Sequence, residues 1–200
     1  MIIGNGVPST QLIAPEWGTR PGGAVAWIQR TVQNVGAMWA ATSAGRVFIT
    51  DNANAAAATV VWKRLDPATT PPRAISAIHV DPVNPHRAWV SYNGYNVNTP
   101  AQPGHVFEAT WSGTGPATFV DRSYNLPDFP ITAVARDDVT GDVYAASDFG
   151  VMMLPNGTSS WVVAGTGLPM VEVAGLTVIP NARILYAATH GRSAWSLKLP

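Results

Sequence analysis

The sequence contains no cysteine, which removes disulfide staples, thiolate metal clusters and cysteine nucleophiles together and leaves the redox compartment undetermined. Charge is scarce as well. Charged residues make up 12% of the chain, against about 25% in an average soluble domain, and acidic and basic residues cancel to a formal net charge of +0. A chain with no field of either sign gathers neither nucleic acid nor an anionic membrane surface. No run of about 18 apolar residues occurs, so no membrane insertion by a helix is expected. The opening residues, Met1 to Pro8, lack the basic start and the apolar run of a signal peptide. They read as the middle of a domain, so the chain is expected to be a piece of a larger protein whose export signal would lie upstream.

Helical periodicity is missing too. No window keeps apolar residues at i, i+3, i+4 and i+7, and 17 prolines interrupt the chain. The one helix-like patch, 54 to 59 with its four alanines, is expected to be a loop between strands. Glutamate occurs only as Glu16, Glu108 and Glu172, and the four histidines have no metal-binding spacing such as His-Glu-x-x-His. No metal and no cofactor is expected.

What is present is a repeat. Ile75-Ser-Ala-Ile-His-Val-Asp-Pro, Ile131-Thr-Ala-Val-Ala-Arg-Asp-Asp and Val173-Ala-Gly-Leu-Thr-Val-Ile-Pro superimpose, each alternating apolar with small or polar residues before a turn. A second strand follows each turn: Ala88-Trp-Val-Ser, Val143-Tyr-Ala-Ala-Ser and Leu185-Tyr-Ala-Ala-Thr, with Met38-Trp-Ala-Ala-Thr as an earlier copy. Their aromatics Trp39, Trp89, Tyr144 and Tyr186 lie 50, 55 and 42 residues apart, close to the period of about 40–50 residues of a propeller blade. Third strands follow at 46–50, 150–154 and 193–197, and fourth strands at 60–63, 118–120 and 161–163.

The fold class expected is therefore all-β, a β-propeller of about four four-stranded blades, covering about 25–70, 73–124, 129–166 and 170–200. Residues 1–24 form an N-terminal segment. Its stretch from Val7 to Ala14 reads as a strand that either completes the last blade, closing a small ring, or belongs to a preceding blade of a larger propeller.

The run His79-Val-Asp-Pro-Val-Asn-Pro-His-Arg-Ala-Trp-Val resembles the turn of propellers of the BNR, or Asp-box, superfamily, which includes sialidases, sortilin-type receptors and family 74 glycoside hydrolases. The order of Ser91-Tyr-Asn-Gly-Tyr-Asn, Pro103-Gly-His-Val-Phe107, Asn125-Leu-Pro127, Gly167-Leu-Pro169 and Leu185 to Trp195 is similar to that of bacterial BNR-repeat proteins labelled glycosyl hydrolases. The resemblance covers about 25–200. It implies remnants of the Asp box at Asp51 with Trp62 and at Asn156 with Trp161, where the carboxylate caps a turn and the tryptophan packs into the blade. It also implies an extracellular or periplasmic full-length protein.

Four strands a to d run from the inside of a blade outwards, so the b–c turns and d–a connections share one face. That face would gather Tyr92, Asn93, Tyr95, Asn96 and His105 from a long insertion, Asp148 and Phe149, and His190 and Arg192. Tyrosines and amides stack on sugar rings and hydrogen-bond hydroxyls, a chemistry suited to a glycan or a protein. Catalytic residues are not identifiable. Asp148 is the one acid placed on this face, whereas a two-carboxylate glycosidase needs a facing pair. The reading is a non-catalytic binding segment taking a glycan or protein ligand. The alternatives are part of a glycoside hydrolase completed by residues elsewhere, and an assembly scaffold, with self-association expected if the ring is open.

Overall fold

The computed structural model describes residues 23–31 and 33–200. They form fifteen strands. The first blade is β1 (Val25–Arg30), β2 (Met38–Thr42), β3 (Val47–Thr50) and β4 (Lys63–Arg64). The second is β5 (Ile75–Val80), β6 (Arg87–Tyr92), β7 (Val106–Thr110) and β8 (Thr118–Asp121). The third is β9 (Ile131–Arg136), β10 (Val143–Ser147), β11 (Gly150–Leu154) and β12 (Val162–Val163). The fourth has three strands, β13 (Val173–Ile179), β14 (Ile184–Thr189) and β15 (Ala194–Lys198). Every sheet is an antiparallel meander, and the molecule is a β-propeller of four blades. The candidate strand Val7 to Ala14 lies outside the described residues.

Strand periodicity sets the faces of each blade. Ile78, Val80, Ala88, Val90, Tyr92, Phe107 and Ala109 of the second blade pack on Trp39, Ala41, Val47 and Ile49 of the first. The residues between them, Ala77, Trp89 and Val106, join the cluster of the third and fourth blades. Because β2, β6 and β10 lie between neighbours, both of their faces are apolar and their residues are almost all buried.

In the first three blades the repeat aromatic turns toward the following blade. Trp39 is 0% exposed, Trp89 3% and Tyr144 1%, whereas Tyr186 is 43% exposed. The reason is in the packing order. Inner strand packs on inner strand as β1 on β5, β5 on β9 and β9 on β13, and among the described residues no comparable packing joins β13 to β1.

The fourth strands of the first and third blades, β4 and β12, are shorter than the sequence pattern predicts, for one physical reason. The N–H of Val61 donates to Asn52 Oδ1 at 2.9 Å, and that of Trp161 to Asn125 Oδ1 at 2.6 Å. Side-chain amides thus take donors that would have extended β4 and β12, and pairing begins only at Lys63 and Val162. Residues 57–59 form a single 3-10 turn inside the expected loop.

Candidate binding surface

The insertion between β6 and β7 is the longest b–c connection, and it is anchored from below. Arg73, buried just before β5, donates from Nη1 to the carbonyl of Gly94 at 3.1 Å and from Nη2 to the carbonyl of Gly104. Asn96 Oδ1 accepts from the Gly104 N–H at 2.8 Å, drawing the two ends of the loop together. Asp128, in the connection to the third blade, accepts through Oδ1 from the N–H of Asn96 at 2.8 Å and faces His105 Nε2 at 2.9 Å. Gly104 has φ +115°, and a Cβ there would lie 2.6 Å from the Phe107 ring, so the loop closes only over glycine.

Burial lowers the His105 imidazole below its ordinary range, and the nearby Arg73 guanidinium adds to the effect against the opposing Asp128 carboxylate. A neutral His105 donating from Nε2 to Asp128 follows at neutral pH. Burial likewise lowers Arg73, opposed by Asp128.

The structure sorts the residues expected on this face. Tyr92 is fully buried, edge-on to Phe107 with ring centroids 5.4 Å apart, and His105 is 1% exposed. These two belong to the core beneath the loop and present no surface to a ligand. Asn93 and Tyr95 are exposed, and Asn96 holds the loop ends. Phe149 is exposed and its ring lies 4.4 Å from that of Phe129, next in sequence to Asp128. The anchored loop and the Asp148-Phe149 turn therefore meet through 128–129. His190 and Arg192 are exposed in the last blade, where His190 Nδ1 faces Glu172 at 3.0 Å. Arg73, Asp128 and Phe129 were absent from the expected set.

Of the Asp-box positions, the two tryptophans pack into their blades as expected, while Asp51 has another task. The Asp51 carboxylate faces His86 Nε2 of the second blade at 2.8 Å, and the turn is held instead by Asn52, whose Nδ2 donates to the Thr59 carbonyl at 2.8 Å. Trp62 is buried with Met38, Ala40 and Phe48. Asn156 donates from Nδ2 to the Thr140 carbonyl at 2.9 Å, and Trp161 donates from Nε1 to the Arg122 carbonyl at 2.8 Å. Among the described residues no group of three His, Cys, Asp or Glu could hold a metal ion, and no helix is long and apolar enough to cross a membrane.

No family model and no curated protein sequence matches the chain. Solved structures do match its fold. A chain of a nidogen/laminin complex superimposes with a TM-score of 0.60 at 12% identity, over 89% of this chain and 62% of that one. The Cps50 (Swd1) β-propeller domain of Myceliophteria thermophila gives 0.59 at 15% identity, over 88% and 55%. An auxiliary nutrient binding protein from Bacteroides thetaiotaomicron gives 0.62 at 9% identity, over 84% and 36%. The chain thus spans less than two thirds of each of these three structures. At these identities the likeness establishes the propeller fold.

Proposed function

We propose that the chain is a non-catalytic propeller binding segment that takes a glycan or protein ligand on its b–c face. One observation carries the reading: a loop fixed by Arg73, Asn96, His105 and Asp128 leaves Asn93 and Tyr95 exposed, and the 128–129 segment that anchors it also packs on the exposed Phe149. A loop ordered before binding loses little conformational freedom when a ligand arrives. His105 and Asp128, which in isolation resemble an acid–base pair, are engaged in holding that loop.

The BNR resemblance favours a glycan and an exported full-length protein. The likeness to a propeller solved in a nidogen/laminin complex favours a protein partner and the scaffold role, and the likeness to a nutrient binding protein is compatible with an extracellular setting. The experiment is a glycan array run in parallel with a pull-down from culture medium. Binding weakens at least tenfold in Tyr95→Ala and Phe149→Ala while thermal unfolding is unchanged. Binding unaffected by both substitutions overturns the assignment to this face, and release of sugar by the purified chain overturns its non-catalytic character.

A further inference from the structure

A second site lies away from the b–c face, where the outer parts of the second and third blades separate around a cavity of about 360 Å³. Its size falls within the range of about 300–1,000 Å³ of ligand pockets. The cavity opens beside the a–b turn at Gly141 and the c–d turn from Pro155 to Ser159. Its wall on the second blade carries Arg87, Trp89, Glu108 and Arg122, and its wall on the third carries Arg136 and Asn156.

The charges form a chain. Glu108 Oε1 accepts from Arg87 Nε at 2.7 Å, and Oε2 accepts from Arg122 Nε at 3.0 Å and Nη2 at 2.7 Å. Burial pushes the Glu108 carboxyl up, but the hydrogen bonds from Arg122 and Arg87 outweigh it and hold the group below its ordinary range. The guanidiniums of Arg87 and Arg136 each lie 4.6 Å from the Trp89 ring centroid. Asp81 and Asp138 engage Arg87 Nη1 and Arg136 Nη1 at 3.3 and 2.7 Å. Arg136 Nε is buried with no hydrogen-bond partner.

Packing does not require this lining. The neighbouring interface between the first and second blades has an apolar centre, with the Asp51–His86 pair, Lys63 over Trp111 and a smaller cavity of about 190 Å³ at its edge, and replacing a buried ion network by apolar residues is often neutral or stabilising. Glycine keeps the space open: at Gly141, φ +86°, a Cβ would meet the Asn156 side chain at 2.6 Å and Arg136 Nη2 at 3.2 Å.

We propose that this inter-blade cavity binds a sugar acid, a pyranose bearing one carboxylate. Planar guanidiniums pair with a carboxylate in a forked geometry. Glu108, Asn156, Thr158 and Ser159 supply acceptors and donors for ring hydroxyls. Glu108 also disfavours a doubly charged phosphate, and because Asp138 engages only Nη1 of Arg136, the Nε–Nη2 edge of that guanidinium, which no carboxylate among the described residues engages, is left for a single carboxylate. The site is independent of the b–c face.

The test is titration of the whole chain with D-glucuronate and D-galacturonate, followed by calorimetry and by the Trp89 indole signal in NMR spectra. D-Glucose, inorganic phosphate and a short acidic peptide serve as comparisons. At least one uronate binds, and at least tenfold more tightly than glucose, phosphate or the peptide. Arg136→Gln weakens that binding at least tenfold, and Ser159→Trp, at an exposed position on the cavity rim, blocks it without changing the melting temperature. A uronate oligosaccharide binding more tightly than the monosaccharide identifies a chain end as the source; equal affinity identifies the free sugar acid. Equal affinity for glucose, tighter binding of peptide or phosphate, or uronate binding that survives Ser159→Trp overturns the proposal. So does the absence of uronate binding at millimolar concentration.

Discussion

Arg183 of the fourth blade grips Asp137 of the third through two parallel hydrogen bonds, Nη1 to Oδ1 and Nη2 to Oδ2, each 2.6 Å long. The same carboxylate caps the β9–β10 turn, accepting from the Val139 N–H at 3.1 Å and the Thr140 hydroxyl at 3.0 Å. The Arg183 hydrogen bonds lead in holding the Asp137 carboxyl down at about 2, from an ordinary 3.8. A carboxyl lower in the folded than in the unfolded chain contributes stability that is present above pH 3.8 and is lost as pH falls toward 2. Acid titration of the melting temperature is therefore expected to drop through that window. In Asp137→Asn the drop flattens, and the variant is less stable than the parent at neutral pH.

Equivalent aromatics differ in what covers them. Tyr144 is 1% exposed and Tyr186 43%. Tyr144→Ala removes a buried ring between the third and fourth blades and costs about 3–5 kcal/mol. Tyr186→Ala, on the outward side of the last blade, costs under about 1 kcal/mol. Urea unfolding of the two variants side by side measures the difference, and equal losses would mean that Tyr186 is covered in solution.

Replacing Arg73 by methionine removes the charge beneath the b–c loop while keeping much of its volume. The carbonyls of Gly94 and Gly104 lose their donor, and hydrogen exchange from 93–105 accelerates. The His105 imidazole rises toward its ordinary range, because one of the two influences lowering it is gone. Burial, the larger of the two, remains, so the rise is partial. A proton NMR titration of the His105 ring in parent and variant reads this directly.

Asn125 clamps Trp161 in both directions, accepting its N–H at 2.6 Å and donating from Nδ2 to its carbonyl at 3.1 Å. Asn125→Ala leaves both backbone groups without their partner and costs about 1–3 kcal/mol. Trp161 fluorescence shifts to the red as its strand loosens from the third blade. An unchanged emission maximum with unchanged stability would show that water replaces the amide without loss.

The strands were legible because alternation and the recurring aromatic are local signals, and Ile75, Ile131 and Val173 each open or lie at the start of an observed inner strand. Tyr92 was misplaced on the ligand face although the same alternation could have placed it. It follows Ala88 and Val90 at steps of two, on the face that packs against the first blade. His105, just ahead of β7 and two residues before Phe107, continues the same alternation. The loop anchor was illegible for another reason. Arg73, Asn96, His105 and Asp128 are brought together across up to 55 positions of sequence, and no local pattern distinguishes a buried arginine from a solvated one. Asn52 lay beside the expected Asp51, but an amide supplies both the donor and the acceptor that this turn uses, whereas a carboxylate supplies only acceptors.

Because the blades pack in the order in which they are encoded, assembly of 23–200 can follow synthesis. Each blade emerging from a ribosome finds its docking wall already folded, and β13 requires no return to β1 before it is packed on β9. The contacts that join blades remain short in sequence, which keeps loop-closure cost low and limits the time an exposed sheet edge waits for a neighbour.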